Sequence, residues 1–239
     1  MFRRLTLVGF LTILVSSSNA ASITESPTAT GWANWVSNSG LIEDVGSLRL
    51  GSNGNHLTSG PMAPVIGFKF DSPTNLASVT SIKLTVTVTE HYSGGYSWAG
   101  SDVLADVYLN QNTNSNLSEV LEPNGMFILD SEWVDTEVDL TFPAGTPASP
   151  YALPYGTQVE IDLTDDLTAS VAGSGQVEFV TMLYPTAFNG GWVELGERGS
   201  AREPFLEIEY QASVPDTGST AALLGAGVVA LAFARRRLG

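Results

Sequence analysis

The middle of this 239-residue chain predicts an all-β fold, an antiparallel β-sandwich of jelly-roll type with one short helix. Three observations predict it. Residues Ser81 to Thr89 alternate strictly, with Ile82, Leu84, Val86 and Val88 pointing one way and Lys83, Thr85 and Thr87 the other. Short runs rich in Val, Thr and aromatic residues recur along the chain between clusters of Gly, Asn, Pro and Ser. Helical periodicity is scarce over the same stretch.

In chain order, strands are expected at Ser47 to Leu50, Val65 to Phe70, Ser81 to Thr89, Val103 to Leu109 and Val134 to Phe142. They continue at Gln158 to Leu163, Val177 to Tyr184, Trp192 to Leu195 and Phe205 to Tyr210. Each is of strand length, is built from β-branched, aromatic or alternating apolar residues, and is bounded by turn formers. For Ser81 to Thr89 the pattern predicts one buried face and one wet face. Nine short strands at this spacing suit a sandwich. One helix is expected at Thr164 to Val171, with Thr164 as cap, Asp165 and Asp166 favouring the positive end of the helix dipole, and Gly173 ending it. Trp32, Trp35, Trp133 and Trp192 are expected to pack into the core.

Both ends of the chain read as processing segments. Residues 1–20 carry Arg3-Arg4, the apolar stretch Leu5 to Val15, then Ser16-Ser17-Ser18-Asn19-Ala20, the three regions of a secretory signal, with cleavage expected after Ala20. The competing reading is a buried N-terminal helix. Export of this kind uses the Sec translocon. At the other end Val214-Pro215-Asp216-Thr217-Gly218-Ser219-Thr220 precedes an apolar run from Ala221 to Ala234 and then Arg235-Arg236-Arg237. Fourteen residues of helix measure about 21 Å, short of the roughly 30 Å hydrocarbon core, so the run suits a weak, temporary anchor in the inner membrane. The arginines would stay on the cytoplasmic side, leaving the motif near the opposite face. A C-terminal core helix is the competing reading, weakened by Gly225 and Gly227.

This tripartite end resembles the PEP-CTERM class of sorting signals in its Val-Pro-Asp-Ser/Thr-Gly variant, found in Gram-negative bacteria that make exopolysaccharide. The resemblance implies an exosortase, an integral-membrane cysteine protease, that cuts near the motif. Domains are accordingly expected as a signal peptide at 1–20, an N-terminal segment at 21–40, a sandwich at 41–212 and a sorting tail at 213–239. The expected location is the cell surface or extracellular matrix after transient membrane anchoring.

Within the middle, Ser47-Leu48-Arg49-Leu50-Gly51, Gly67-Phe68-Lys69-Phe70-Asp71, Ser81-Ile82-Lys83-Leu84, Val159 to Thr164 and Ser200-Ala201-Arg202-Glu203 before Pro204 to Ile208 together resemble the DNRLRE domain. That is a β-sandwich family related to carbohydrate-binding modules. The resemblance implies a sandwich able to hold polysaccharide, with Tyr92 to Asp102 and Phe142 to Gly156 as insertions.

Charge narrows the partners. From Ala21 to Val214 there are 24 acids and 5 bases, a formal charge of about −19, and the remaining Arg residues sit in the two ends. Such a domain repels phosphate backbones, anionic headgroups and acidic polysaccharides, so nucleic acid is not an expected partner. The chain has no Cys, which removes disulfides, thiolate metal sites and a Cys nucleophile. The glycan-binding candidates are Tyr92, Tyr96 and Trp98, in a Gly-rich loop that would present rings against a pyranose; the alternative is that these rings cover the end of the sandwich. Asn110, Asn112, Asn114 and Asn116 could hold Ca2+ with Asp102 or Asp106, but no calcium-loop spacing accompanies them and turn chemistry explains them better. The two His residues, His56 and His91, have no partner in sequence, so no catalytic residue is assigned. The expected function is a non-enzymatic exported protein that holds glycan in exopolysaccharide; a ligand-free matrix protein and a polysaccharide-degrading enzyme are the alternatives.

Overall fold

The computed structural model describes residues 19–34, 41–43, 48–51, 62–93, 102–111, 117, 132–143, 153–173, 175–186, 191–213 and 225–228. Its strands are β1 (Asn19–Glu25), β2 (Ala29–Asn34), β3 (Leu41–Glu43), β4 (Leu48–Gly51), β5 (Met62–Asp71) and β6 (Leu76–Ser93). They continue with β7 (Val103–Asn110), β8 (Val134–Phe142), β9 (Gln158–Asp162), β10 (Gln176–Pro185), β11 (Gly191–Leu195) and β12 (Phe205–Ala212), and helix α1 (Thr164–Ala172) lies between β9 and β10. All pairings are antiparallel, as expected for a sandwich.

The 18-residue β6 joins the two sheets. Its first part lies between β12, itself edged by β1, and β9. From Val88 onward it pairs instead with β11, and the second sheet runs on through β4, β5, β10, β7 and β8, with β2 on β5 and β3 on β2. One hydrophobic cluster spans both sheets: Ile82, Leu84, Ile161, Leu206 and Ile208 from the first meet Leu50, Phe68, Val107, Phe179 and Val193 from the second. Phe68 and Phe179, opposite each other in register, stack with ring centroids 5.3 Å apart. Each such buried side chain contributes about 1.5–3 kcal/mol, which is how a chain without disulfides holds two sheets together.

Three features depart from the sequence-based expectation. The sandwich does not begin at residue 41: β1 takes the edge beside β12 and β2 pairs with β5. Thr85 and Thr87 are nearly as buried as the apolar face of β6, at 5% and 4% exposure, because neighbouring strands and the turn after β11 cover them. The α1 cap position is Leu163, not Thr164. The Thr164 hydroxyl instead accepts from Ile82 N–H at 2.9 Å and donates to Asp162 Oδ1, which also takes the Thr164 N–H at 3.0 Å. Gly173 ends the helix in extended geometry, with its N–H on Ala169 O. Leu167 and Val171 carry the inner face of α1 into the core.

β5 and β10 are buried on both faces. A second cluster of Ala63, Val65, Val180, Met182 and Leu117, with Trp133 and Tyr184 against it, covers their outer side. Trp32 is buried, whereas Trp133 and Trp192 are half-buried and Trp35 lies outside the described residues.

Candidate functional site

Two places on the domain have geometry that bears on function, one at each end of β12. At the Ala212 end, Asn19 and Ala212 are register partners, as are Ala20 and Gln211. Ser213 then donates two hydrogen bonds to Asn75 O, from its N–H at 2.6 Å and its hydroxyl at 3.1 Å, and so ties down the last residue before Val214. Ala20, the expected cleavage position, lies inside β1, exposed at the sheet edge. Cleavage there leaves Ala21 to Glu25 still paired with Leu206 to Tyr210.

At the Phe205 end, seven residue steps and therefore about 24 Å away, β1, β6, β9 and β12 surround a cleft of about 480 Å³. Its walls are polar: Thr24, Ser26, Thr87, Gln158, Ser200 and Arg202 all reach it. Two tightly tied turns build the rim. In the turn that precedes β9, Thr157 bonds Pro154 O through both its N–H and its hydroxyl, while Gly156 N–H and Thr157 O clasp Val88 at 2.8 Å each. This leaves Tyr155 held at a fixed turn and, as a residue, 67% exposed.

The other turn, Gly196 to Pro204, is closed by Ser200, whose hydroxyl donates to Glu197 O and accepts from Arg202 N–H. Glu203 adds two more ties, accepting from Ser26 Oγ and Gly199 N–H, both at 2.8 Å. Gly196 lets this turn lie on β6: a Cβ there would stand 1.8 Å from Arg202 O, and its N–H bonds Thr87 O at 2.9 Å. The result brings the Arg202 guanidinium over the Tyr155 ring, 3.6 Å from its centroid. Gly156, at φ +89°, leaves room for it, since a Cβ there would touch Arg202 Nη2 at 3.4 Å.

Bases are few in this domain and most are neutralised. Arg49 pairs with Glu194, Lys69 with Glu178 and Lys83 with Glu160. Arg202 differs: among the described residues no carboxylate lies within ion-pair distance of it, and the Tyr155 ring is its partner.

The sequence candidates fall as follows. Tyr92 is in β6 opposite Trp192, while Tyr96 and Trp98 lie outside the described residues, as do His56, Asn112, Asn114, Asn116, the motif 214–220 and Arg235 to Arg237. His91 has its backbone in β6. Of the run 221–234 the structure describes 225–228, an exposed helical turn, and no helix among the described residues is long and apolar enough to cross a membrane. Among the described residues no group of three or more His, Asp or Glu could hold a metal ion.

Asp106 faces Asp139 across β7 and β8; burial, then the charges of Asp139 and Asp135, raise its pKa. Tyr155 and Arg202 were not selected from the sequence as a site. Arg202 lies in the Ser200-Ala201-Arg202-Glu203 stretch, and nothing local in the sequence signals that it meets Tyr155.

No curated protein matches this chain. Among solved structures, winged bean acidic lectin complexed with methyl-α-D-galactose is similar at 11% identity and TM-score 0.35, over 80% of this chain and 99% of the lectin. A recombinantly expressed latent aurone synthase (polyphenol oxidase) is similar at 14% identity and TM-score 0.31, over 63% of this chain, which spans 25% of that protein's length. At these scores neither likeness carries an argument about this chain. The carboxyl end is different: residues 213–238 match the VPDSG-CTERM motif, a sorting segment of the PEP-CTERM type.

Proposed function

We propose that this is a non-catalytic protein exported through the Sec translocon, held briefly in the inner membrane by its tail, and released by an exosortase to the cell surface or exopolysaccharide matrix, where its sandwich holds glycan. The observation that carries the reading is the junction at Ser213. β12 ends at Ala212, Ser213 is pinned to Asn75, and the matched sorting segment begins at Ser213, so a protease can remove the tail without cutting that strand. The cleft lined by Arg202 lies about one strand length from that junction and would face away from the membrane while the tail is anchored. The cleft's one acidic lining residue, Glu203, has both oxygens committed to Ser26 and Gly199, which supports a holding role over acid–base chemistry.

Intact-mass analysis of the native protein from membrane and extracellular fractions tests the reading. The expected extracellular species begins at Ala21 and ends near Val214. A released protein that retains 221–237 would overturn the sorting assignment.

A further inference from the structure

We propose that the cleft lined by Arg202, with the Tyr155 ring adjoining it, binds a sugar unit bearing one carboxylate within an otherwise neutral glycan. The proposal rests on the glycan-holding reading above and supplies its site and ligand class. Three observations point there. Arg202 has no carboxylate partner among the described residues, in a domain where Arg49, Lys69 and Lys83 each have one. A guanidinium is a planar fork of donors suited to a carboxylate, and stacking on a ring fixes its plane while leaving the N–H edges available. Both partners stand on turns locked by several backbone bonds, so the pair is presented without an ordering cost on binding.

The surroundings complete the match. Tyr155, adjoining the cleft through Arg202, offers an exposed ring of the kind that stacks on the C–H face of a pyranose, and Gln158 and Thr24 in the cleft wall bring amide and hydroxyl groups suited to sugar hydroxyls. The overall formal charge of −15 sets the limit on ligand charge. A polyanion would be repelled along its length, whereas a single carboxylate meets Arg202 within a screening length of about 8–10 Å.

The test uses the full-length chain in detergent micelles and three hexasaccharides measured by calorimetry at 0.15 M salt. They are cellohexaose, the same hexamer with its terminal C6 oxidised to one uronate, and hexagalacturonate. The singly oxidised hexamer is expected to bind about ten- to hundredfold more tightly than cellohexaose, the worth of a charge-assisted hydrogen bond. Hexagalacturonate is expected to bind more weakly than the singly oxidised hexamer.

Arg202→Gln is expected to erase the preference for the oxidised hexamer while keeping the melting temperature. Tyr155→Ala, at an exposed position, is expected to weaken both the neutral and the oxidised ligand. Equal binding of those two by the wild type, unchanged by Arg202→Gln, would overturn this proposal and leave the glycan reading standing. Tightest binding of hexagalacturonate would overturn the limit to one carboxylate. No binding of any of the three would overturn both the proposal and the glycan reading.

Discussion

Thr181 is fully buried on β10, and its hydroxyl has no hydrogen-bond partner among the described residues. Replacing the hydroxyl by a methyl of similar shape removes a desolvated polar group, so Thr181→Val is expected to raise unfolding stability by about 1 kcal/mol in urea titrations. Gly196 has the opposite tolerance. Its missing Cβ is the space occupied by Arg202 O, so Gly196→Ala is expected to cost about 3 kcal/mol and to displace the turn that carries Arg202. A loss of binding with an unchanged melting temperature would contradict that account.

Asp106 gives a pH signature. Its folded pKa is raised, so the stability it contributes is present at acid pH and is lost as pH rises through the folded value. Asp106→Asn removes a like-charge cross-strand pair and is expected to stabilise at pH 7 by about 0.5 kcal/mol. The gain should shrink as thermal melts are taken down through the carboxylate range. A difference that stays constant with pH would refute this.

At the scale of elements, most strand positions were legible and most strand ends were not. All nine strands expected from the sequence are present, because alternation or a run of β-branched residues is set by which faces are buried. β1, β2 and β3 carry weaker patterns and owe their place to edges offered by β12 and β5. β6 extends beyond Ser81 to Thr89 in both directions because β12 pairs with its beginning and β11 with its end, and neither partner is visible in the local pattern.

The start of α1 is held by Thr164 and Asp162 together. Thr164→Val would leave Ile82 N–H without its hydroxyl acceptor and is expected to cost about 1–2 kcal/mol, measured by denaturant unfolding. It also removes the hydroxyl that holds the Asp162 pKa low. In the wild type that lowered pKa contributes stability above the unfolded value, lost as pH falls through the folded one; the variant should lose part of this acid dependence.

For the whole molecule, the register Asn19↔Ala212 brings the start of β1 and the end of β12, where the matched sorting segment begins, to one pole and leaves the cleft at the other. A chain trimmed to residues 21–213 keeps five β1 pairs and the Ser213 ties, so it is expected to unfold in a single transition at the melting temperature of the full chain. Starting the chain at Ala29 instead bares the edge of β12 and removes the Ser26–Glu203 bond, and is expected to lower the melting temperature. Equal melting temperatures for the two would show β1 to be dispensable.

Local sequence is enough for the all-β class, the approximate positions of nine of the strands, the acidic middle and the sorting segment at 213–238. Each of these is written locally, in alternation, in composition or in a contiguous motif. Long-range packing sets that β6 serves two sheets, that Leu117 and Trp133 cover a face that alternation alone would leave wet, and that Tyr155 meets Arg202. Those outcomes depend on non-local pairing and on the close approach that Gly196 and Gly156 permit. Such contacts join residues far apart in the chain, and periodicity carries no information about which distant partners a strand or turn will meet.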